Sequence, residues 1–335
     1  MKILGVETSC DETSAAVVQD GQRILSNVVS SQIELHRPFG GVVPELASRH
    51  HLEFIDAVVA KALAHADVTF SQIDAVAGTF GPGLATSLLI GLNAAKGMAF
   101  SMGKPFIGIN HLEAHLYSPL LAQRVEDCLP MVSLIVSGGH TILAHSTAIG
   151  EHEILGQTMD DAAGEAFDKV AKLLGLGYPG GPEIDSRSKE GNPVAIAFPR
   201  SMLNEPNYNF SFSGLKTSVL YWLRKNPHHR AEDVCASFQE AVVDVLVGKL
   251  MRAARDKGVK TVSASGGVSI NSRFREKLNA ECKRSGVRLL LASADLCTDN
   301  AAMIGALAFY KLKQVGQSDF ALEVAPSIGL AEVGA

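Results

Sequence analysis

Residues 2–18 read KILGVETSCDETSAAVV, and the pattern of this stretch decides the fold. An apolar run from Lys2 to Glu7 breaks at a turn of small and acidic residues, and a second apolar run starts at Ser14. Asp20 and Gly21 then form a dipeptide typical of a hairpin turn, which leads into a third run at 24–29. Three consecutive β-strands are therefore predicted at the start of the chain.

The same order of elements returns in the second half of the chain. Strands are predicted at 131–136, 140–145 and 153–156, and in both halves helices and strands then alternate. This pattern predicts an α/β fold with two similar lobes and a cleft between them, which is the default ligand site. The remaining elements are predicted as helices from Pro44, after Gly83 and at 111–121, 162–174, 181–189, 215–224, 231–256, 269–284 and 299–312, and strands at 73–77, 106–109, 260–264 and 287–290.

Length and composition set further limits. The 335 residues suffice for two domains, and a hydrophobic content of 47% favours a buried core over disorder. The net charge of −5 means that any contact with nucleic acid needs a local basic patch. Five cysteines without a Cys-x-x-Cys pair suggest a reduced, intracellular compartment, and residues 1–30 lack a signal-peptide pattern. Asn93 and Lys96 interrupt the longest apolar stretch, which favours a buried helix over a membrane span.

Two histidines four residues apart, His111 and His115, are candidate metal ligands. Residues at this spacing share a helix face, and the carboxylate of Asp299 far downstream can complete a 2-His-1-carboxylate set. The alternative is a pair of surface histidines. The order His-Leu-Glu-Ala-His is not that of a metallopeptidase, and Glu113 is expected to point about 200° away from each histidine. Peptidase chemistry is therefore excluded.

Three turns of small residues are candidate phosphate sites. They span 7–13, 136–141 and 264–271, and the last lies between a strand and a helix, where a helix N-terminus attracts anions. Each turn alone could be structural, but the three together are more specific. Neither a Gly-x-Gly-x-x-Gly motif nor a P-loop occurs. Asp185 follows the Gly-rich turn at 178–182, and a carboxylate in this position can accept hydrogen bonds from ribose hydroxyls.

Basic residues concentrate late in the chain. Between 249 and 288 eleven Lys and Arg stand against three acidic residues, which indicates either solvated helix faces or an RNA-facing surface. The eleven are Lys249, Arg252, Arg255, Lys257, Lys260, Arg273, Arg275, Lys277, Lys283, Arg284 and Arg288.

Seven motifs, spread over residues 1 to about 325, resemble the TsaD family of bacterial tRNA N6-adenosine threonylcarbamoyltransferases. The resemblance implies a two-lobed actin, hexokinase and Hsp70-like (ASKHA) fold with a central nucleotide and metal cleft. It implies lobes at 1–125 and 126–335, a helical insertion at about 160–230, and a C-terminal helix that packs on the first lobe. The motifs are Gly5–Thr13, Gly40–Arg49, His111 with His115, Ser137–Thr141, Asp161–Lys169, Phe210–Thr217 and Cys297–Asn300.

The resemblance also implies an activity and its residues. The threonylcarbamoyl group of threonylcarbamoyl-AMP would be transferred to the adenine beside the anticodon of tRNAs that read A-starting codons. One divalent metal, Fe²⁺ or alternatively Zn²⁺, would be held by His111, His115 and Asp299. Glu12, His140 and Asp11 are candidates for proton transfer. Nucleotide contacts would fall on Ile135, Val136, Ser137, Gly138, Gly139, Asp168, Gly181, Asp185 and Asn271.

The implied partners are tRNA, a TsaB-like paralogue, a TsaE-like ATPase and an upstream synthase that supplies threonylcarbamoyl-AMP, in the cytoplasm and without a membrane. Two other classes remain as alternatives. A carbohydrate kinase on the same fold would use Mg²⁺ and a catalytic Asp, and the histidine pair argues against it. An Hsp70-like nucleotide switch would need a peptide-binding domain after the nucleotide domain, for which the chain ends too soon.

Overall fold

The computed structural model describes residues 1–121 and 123–332. These residues form ten β-strands, eleven α-helices and several short 3₁₀ turns. The strands are β1 Lys2–Glu7, β2 Glu12–Gln19, β3 Arg23–Ser31, β4 Ala75–Gly81, β5 Phe106–Asn110, β6 Met131–Val136, β7 Thr141–Ala148, β8 Glu151–Gln157, β9 Thr261–Ser265 and β10 Arg288–Leu291. The helices are α1 Ile33–His36, α2 Pro44–His65, α3 Ala85–Met102, α4 His111–Tyr117, α5 Ala163–Leu173, α6 Gly180–Ser188, α7 Ser213–Lys225, α8 Ala231–Asp256, α9 Ser272–Ser285, α10 Ala294–Cys297 and α11 Ala301–Gln314.

The chain divides into two compact units. The first unit contains Met1–Asp127, Ile149–Glu151 and the chain from Ala292 onward, and the second contains Cys128–Ala148 and His152–Leu291. Within the described ranges, every helix is either too short or too polar to cross a bilayer.

The first unit is built on a five-stranded sheet in the order β3-β2-β1-β4-β5. The first three strands pair antiparallel, and β4 and β5 continue the sheet parallel to β1. Because side chains alternate along a strand, β2 supplies two cores: Ala15 and Val17 pack with α2 and α3, whereas Ala16 and Val18 pack against α11. A Cβ on Gly5 would lie 2.5 Å from the carbonyl oxygen of Ala301, so glycine allows α11 to lie directly on β1.

The second unit repeats this design with the order β8-β7-β6-β9-β10. Here β7 pairs antiparallel with β6, and β9 and β10 continue the sheet in parallel. Its core gathers aromatic residues such as Phe167, Phe210 and Phe238 around the long helix α8, which is buried along most of its length. The predicted repetition of strands followed by alternating helices and strands is therefore confirmed in both halves.

Several predicted boundaries were wrong by two residues or more. The strand predicted at 73–77 is β4, two residues later, and the helix predicted at 111–121 gives way to a 3₁₀ turn at Ser118–Leu120, which contains Pro119. The helix predicted from 269 starts at Ser272, after a 3₁₀ turn at Gly267–Ile270. The helix predicted from 299 starts at Ala301 because Asn300 caps it, so Asp299 lies before the helix.

Candidate metal and nucleotide sites

The predicted metal ligands lie where parallel strands of the first unit end. β1, β4 and β5 are parallel neighbours, and their carboxyl ends lie at one edge of the sheet, the usual ligand-binding edge of an open α/β sheet. Glu7 is the last residue of β1, and His111 directly follows β5 as the first residue of α4. The strand order therefore brings together residues that are far apart in the sequence.

Two asparagines fix the segments that carry the ligands. Asn110 caps α4, accepting hydrogen bonds from the backbone N–H groups of Leu112 (2.9 Å) and Glu113 (3.1 Å). Asn300 caps α11 by accepting from the N–H of Met303 at 3.1 Å. Each asparagine is buried and adjacent in sequence to a ligand, so helix capping also fixes the backbone at His111 and Asp299.

The structure brings His111, His115 and Asp299 together. Asp299 Oδ1 lies 3.0 Å from His115 Nε2 and 3.5 Å from His111 Nε2, and one donor atom from each residue lies within 4.8 Å of the others. The two imidazole rings are perpendicular, with centroids 4.6 Å apart. Both histidines are buried, which contradicts the alternative of surface residues. Two imidazole nitrogens and a carboxylate oxygen that converge in this way form a donor set suited to Fe²⁺ or Zn²⁺.

A second layer of side chains orients His111. Its Nδ1 lies 3.0 Å from Glu7 Oε2 and 3.1 Å from Ser9 Oγ, while Thr79 Oγ1 donates to the same Glu7 oxygen at 2.7 Å. Glu7 is fully buried. A carboxylate on the far nitrogen fixes the ring and raises its basicity, the usual outer shell of a metal-bound histidine. This contact leaves Nε2 of His111 directed at the ligand set.

The electrostatics of the cluster suit a cation. Burial lowers the pKa of His111, but the carboxylates of Asp299 and Glu7 outweigh it and raise that pKa to about 9. Burial, with the negative charges of Asp299, Asp11 and Glu7, raises the pKa of Glu12 well above its usual range. Carboxylates therefore outnumber the imidazoles in this part of the first unit, and a divalent cation would offset their repulsion.

Glu113 lies outside the ligand set, as predicted from the helix geometry. Its side chain is fully buried and forms an ion pair with Lys311, whose Nζ lies 2.8 Å from Glu113 Oε1. The pair joins α4, which carries both histidines, to α11, which follows Asp299. Glu113 therefore connects the two ligand-bearing segments without being a ligand.

The predicted nucleotide residues lie in the second unit, around the ends of β6 and β9. These strands are parallel neighbours, and the turn at 137–139 follows one while Gly266 follows the other. Gly266 adopts φ +88°, and a Cβ there would lie 2.4 Å from the carbonyl oxygen of Val136, so the two turns are in close contact. By contrast, apart from the adjoining residues of the chain, no atom of the described residues lies within 4 Å of where a Cβ would be on Gly138 or Gly139. Ile135 and Val136 are buried in β6 and position the turn.

The other predicted residues continue around the same edge. Asp168 Oδ1 accepts a hydrogen bond from the N–H of Gly180 (2.7 Å), and burial raises the pKa of this carboxyl. Asp185 Oδ1 accepts from Ser272 Oγ at 2.7 Å, which ties α6 to the start of α9. Gly181 has open space around its Cα. Since the N–H of Gly180 is bonded to Asp168 and Pro182 has no N–H, the N–H of Gly181 is the one that these three residues leave for a ligand.

Asn271, predicted to contact the nucleotide, has both its side-chain oxygen and its side-chain nitrogen engaged in hydrogen bonds within the second unit. Its Oδ1 caps α9, and its Nδ2 donates to Gln239 Oε1 at 2.7 Å. Gln239 Nε2 in turn donates to Ser188 Oγ at 2.8 Å. A cavity of about 280 Å³ adjoins this chain of hydrogen bonds and is lined in part by Ser188, Lys189, Gln239 and Ser272. The sequence analysis missed this cavity because its walls come from three helices that are distant along the chain.

The three candidates for proton transfer fall in different units. Asp11 is buried and Glu12 half-buried at the start of β2 in the first unit, with the metal ligands. His140 lies in the second unit, where its N–H donates to Ser137 Oγ at 3.1 Å within the turn. The metal set and the nucleotide set are likewise divided between the first and the second unit.

Much of the predicted basic surface is engaged inside the second unit. Arg273 forms a bidentate pair with Glu240 (2.6 and 3.0 Å), and Lys277 bonds both Glu240 and Asp244. Arg252 donates to backbone carbonyls at 203, 205 and 207, and Lys249 is fully buried. The charge count between 249 and 288 excluded Glu240 and Asp244, which lie on α8 beside α9. Arg252 and Arg273 therefore hold the fold together and do not form a free RNA surface.

The first turn is also more occupied than predicted. Thr8 Oγ1 donates to the carbonyl of Ser87, Ser9 Oγ contacts His111, and the N–H of Ser9 donates to Glu7 Oε1 at 2.5 Å. These small residues support the metal ligands, so their hydroxyl groups are not open to phosphate.

Two mixed sheets of one topology, with glycine turns at the strand ends, define the α/β fold shared by actin, hexokinase and Hsp70. Solved structures agree: HypF in a phosphate- and nucleotide-bound form is similar with a TM-score of 0.63 and 15% identity, covering 95% of this chain and 47% of that one. A ROK hexokinase from Thermus thermophilus is similar with a TM-score of 0.50 and 16% identity, covering 93% of this chain and 99% of that one.

Sequence comparison narrows the class. The family profile of TsaD, tRNA N6-adenosine threonylcarbamoyltransferase, matches residues 23–306. A protein of that name from Thermotoga neapolitana is 52% identical over 314 residues, 94% of this chain and 95% of its own length. One from Clostridium botulinum is 49% identical over 336 residues, 99% of this chain and 98% of its own length. The chain belongs to the TsaD family.

Proposed function

We propose that the chain transfers the threonylcarbamoyl group of threonylcarbamoyl-AMP to N6 of the adenine beside the anticodon, in tRNAs that read A-starting codons. Membership of the family supports the tRNA transferase reaction. The observation that carries the site assignment is the convergence of His111, His115 and Asp299, three residues that the family resemblance names as ligands. A carbohydrate kinase does not need two buried imidazoles beside a carboxylate.

The metal is proposed to be Fe²⁺, with Zn²⁺ as the alternative, held by His111, His115 and Asp299. When bound, it supplies a Lewis acid and a template for the carbonyl and phosphate oxygens of the donor. Glu7 keeps the ring of His111 oriented toward the cation. Asn110 and Asn300 hold the two ligand-bearing segments in place.

The nucleotide part of the donor is proposed to bind in the second unit. The open turn at Gly138 and Gly139 and the N–H of Gly181 near the start of α6 are proposed to donate to the phosphate. Asp185 is proposed to accept from ribose hydroxyls. The cavity beside Gln239 is large enough for an adenine ring and lies next to Asp185's partner, Ser272.

In the transfer, the exocyclic amine of adenine attacks the carbamoyl carbon, a C–N bond forms, and the C–O bond to phosphate breaks. AMP leaves with the bonding electron pair, and the amine loses one proton. Glu12 and His140 remain the candidates to accept it. Asp11, the third candidate, is adjacent to Glu12 in the chain.

Partner proteins are proposed on the same basis as the reaction: a TsaB-like paralogue, a TsaE-like ATPase and an upstream synthase that supplies threonylcarbamoyl-AMP. The outer faces of α2 and α3 are the proposed docking surfaces in the first unit. Leu52 and Phe54 on α2 and Leu89 and Phe100 on α3 are exposed, with Leu52 at 70% and Phe100 at 77%. Large apolar side chains in such numbers favour contact with another protein.

The experiment combines the chain with threonylcarbamoyl-AMP, unmodified tRNA and the partner proteins, and digests the tRNA for mass spectrometry. We expect N6-threonylcarbamoyladenosine that disappears when this chain is omitted. Its persistence without the chain, or its absence with active partners, would contradict the proposal.

Removal of a metal ligand tests the site in the same assay. Asp299→Ala should lower both the bound metal per chain and the rate of product formation by about a hundredfold or more, since an open three-ligand site loses its only carboxylate. Asp127→Ala, which removes an exposed aspartate that lies outside the proposed sites and docking surfaces, is the control and should change neither. Full activity of Asp299→Ala would refute the metal assignment.

A further inference from the structure

We propose that the outward face of α7, with the loop that follows it to Arg230, binds the sugar–phosphate backbone of tRNA. This inference rests on the proposed function and assigns one of its contact surfaces. From the sequence, residues 249–288 could be either solvated helix faces or an RNA-facing surface, and much of their charge is engaged within the fold. The structure leaves the stronger candidate on α7.

α7 is a surface helix with one buried stripe. Leu215 and Val219 are buried in the core of the second unit, and the half-buried Trp222 packs beside them. At about 100° per residue, the stripe of Gly214, Tyr221 and Lys225 lies roughly 90–130° around the helix from the buried stripe, and all three residues are exposed. A Cβ on Gly214 would meet only one atom within 4 Å, the Ser201 hydroxyl oxygen at 3.9 Å. The helix therefore presents a shallow N-terminal half and a bulkier, basic C-terminal half.

The segment that forms this surface carries charges of one sign, and Asp160 borders its start by accepting hydrogen bonds from Phe212 and Ser213. From Ser213 to Arg230 the sequence has four Lys and Arg and no Asp or Glu, although the whole chain carries a net charge of −5. Arg224 and Lys225 are exposed and occupy the last turn of α7. Over the described ranges neither forms an ion pair with a carboxylate, whereas Arg230 lies within 4 Å of Glu232 and Asp233. Two free cations at one place are complementary to consecutive phosphates.

An exposed aromatic ring lies among these cations. Tyr221 is 57% exposed, and the guanidinium of Arg224 lies 6.0 Å from its ring centroid. An aromatic ring with an adjacent arginine provides a stacking platform for a base or a ribose, and the phenol hydroxyl can bond a phosphate. His228 in the following loop is also exposed. Aromatic and basic residues interleaved in this way fit an RNA backbone better than an apolar protein surface.

The test compares two adjacent pairs of cations at the ends of two helices. Arg224→Gln/Lys225→Gln removes the proposed contacts, and Lys283→Gln/Arg284→Gln removes an exposed pair from the last turn of α9, where Arg284 is paired with Glu281. Binding of labelled tRNA is measured by filter retention over a range of salt, with partner proteins present. Tyr221→Ala is a third variant, and thermal unfolding checks that each protein is folded.

We expect the α7 pair to weaken tRNA binding about five- to tenfold at about 0.1 M salt and to lower the slope of log K against log salt by about 1 to 2. Tyr221→Ala should weaken binding several-fold without changing the slope, because stacking releases no counterions. The α9 pair should change binding less than about twofold. Together these results would establish the surface.

Any of four outcomes would overturn this proposal. Wild-type tRNA affinity in the α7 double variant, or equal losses of affinity in both double variants, would refute a localised tRNA surface on α7. The proposed transferase activity would still hold if the wild-type protein forms product. Loss of partner assembly with unchanged tRNA binding would make α7 a protein-docking face. Wild-type protein that neither binds tRNA nor forms product would refute the proposed function and this surface with it.

Discussion

The two candidate sites lie on sheets of the same strand order but are built from different chemical groups. In the first unit the site consists of buried charged side chains, each braced by another: His111 by Glu7, and the helix of both histidines by the pair of Glu113 and Lys311. In the second unit it consists mainly of backbone, exposed at glycine turns and at the start of α6. One topology therefore supports two kinds of ligand chemistry at the strand ends.

The difference follows from what each ligand needs. A small divalent cation requires donors fixed to within a few tenths of an ångström, and rigid packing of paired charges provides this. A phosphate is larger and accepts hydrogen bonds from several directions, so open N–H groups at turns and helix starts suffice. Substitutions in the first unit should therefore act through charge, and those in the second through shape.

The largest effect is expected at the ion pair between Glu113 and Lys311. Glu113→Gln leaves the lysine without its charged partner and should lower the free energy of unfolding by roughly 3 kcal/mol, since breaking a buried pair leaves an uncompensated charge. Urea unfolding measures the loss. The double variant Glu113→Leu/Lys311→Met should recover most of it, because no unpaired charge remains. If Glu113→Gln lowers the free energy of unfolding by less than about 1 kcal/mol, water screens the ion pair. The first unit would then depend less on buried charge than proposed.

The next effect concerns the outer shell of the metal set. Glu7→Gln keeps the shape of the side chain but removes the negative charge beside His111 Nδ1, and should weaken metal binding about 10- to 100-fold. Competition with a chromophoric chelator measures the affinity. Glu45→Gln, which changes an exposed glutamate paired with Arg49 on α2, is the matched control. Equal affinities in wild type and Glu7→Gln would show that His111 needs no carboxylate to be oriented.

The order of elements could be predicted from the sequence because periodicity and turn residues are local signals. The pairing of His115 with Asp299 spans 184 residues, and the sequence offered only the residue types and a family resemblance. Glu7 lay inside a quoted motif, but its role depends on β1 and β4 being parallel neighbours, which bring it to Thr79. A carboxylate at a strand end was the one available signal.

Long-range pairing also explains the errors. In the sequence, Lys311 is one of several lysines near helix ends, and its ion pair with Glu113 is evident only once α11 lies against α4. Glu240 and Asp244 precede the counted window from 249 to 288 yet lie beside α9, and counting them lowers the basic excess there from eight to six. Asn300 as a cap was identifiable from its type, and recognising it would have placed Asp299 outside the helix.

A buried lysine in the second unit gives a pH-dependent test of the comparison. Among residues 1–121 and 123–332, no carboxylate forms an ion pair with Lys249 as Glu113 does with Lys311; the Nζ of Lys249 donates to the carbonyl of Asn207 at 3.1 Å. Burial, with the charge of Arg252, lowers the pKa of Lys249 to about 8. The unfolded chain then binds the proton more tightly, so stability should rise with pH between about 8 and 10.5 by roughly 2 kcal/mol.

Lys249→Met should abolish this rise. Urea unfolding of both proteins is measured near pH 7 and near pH 10. Subtracting the pH-dependent change in the free energy of unfolding of Lys249→Met from that of the wild type gives the contribution of Lys249. A parallel pH dependence in the two proteins would show that Lys249 keeps an ordinary pKa. The second unit would then be no different from the first in how it accommodates buried charge.

The smallest effect is expected from substitutions of two neighbouring glycines, one of which should alter AMP binding and the other the stability of the second unit. Gly181→Ala adds a methyl group into open space and should leave stability nearly unchanged, while weakening AMP binding about fivefold by crowding the phosphate. Gly180→Ala places the methyl group 2.8 Å from the Cα of Asp168, so it should instead destabilise the second unit. Calorimetric titration with AMP and thermal unfolding separate the two effects. If Gly181→Ala binds AMP as tightly as the wild type does, the start of α6 does not contact phosphate, and the second site would rest on the turn at 137–139 alone.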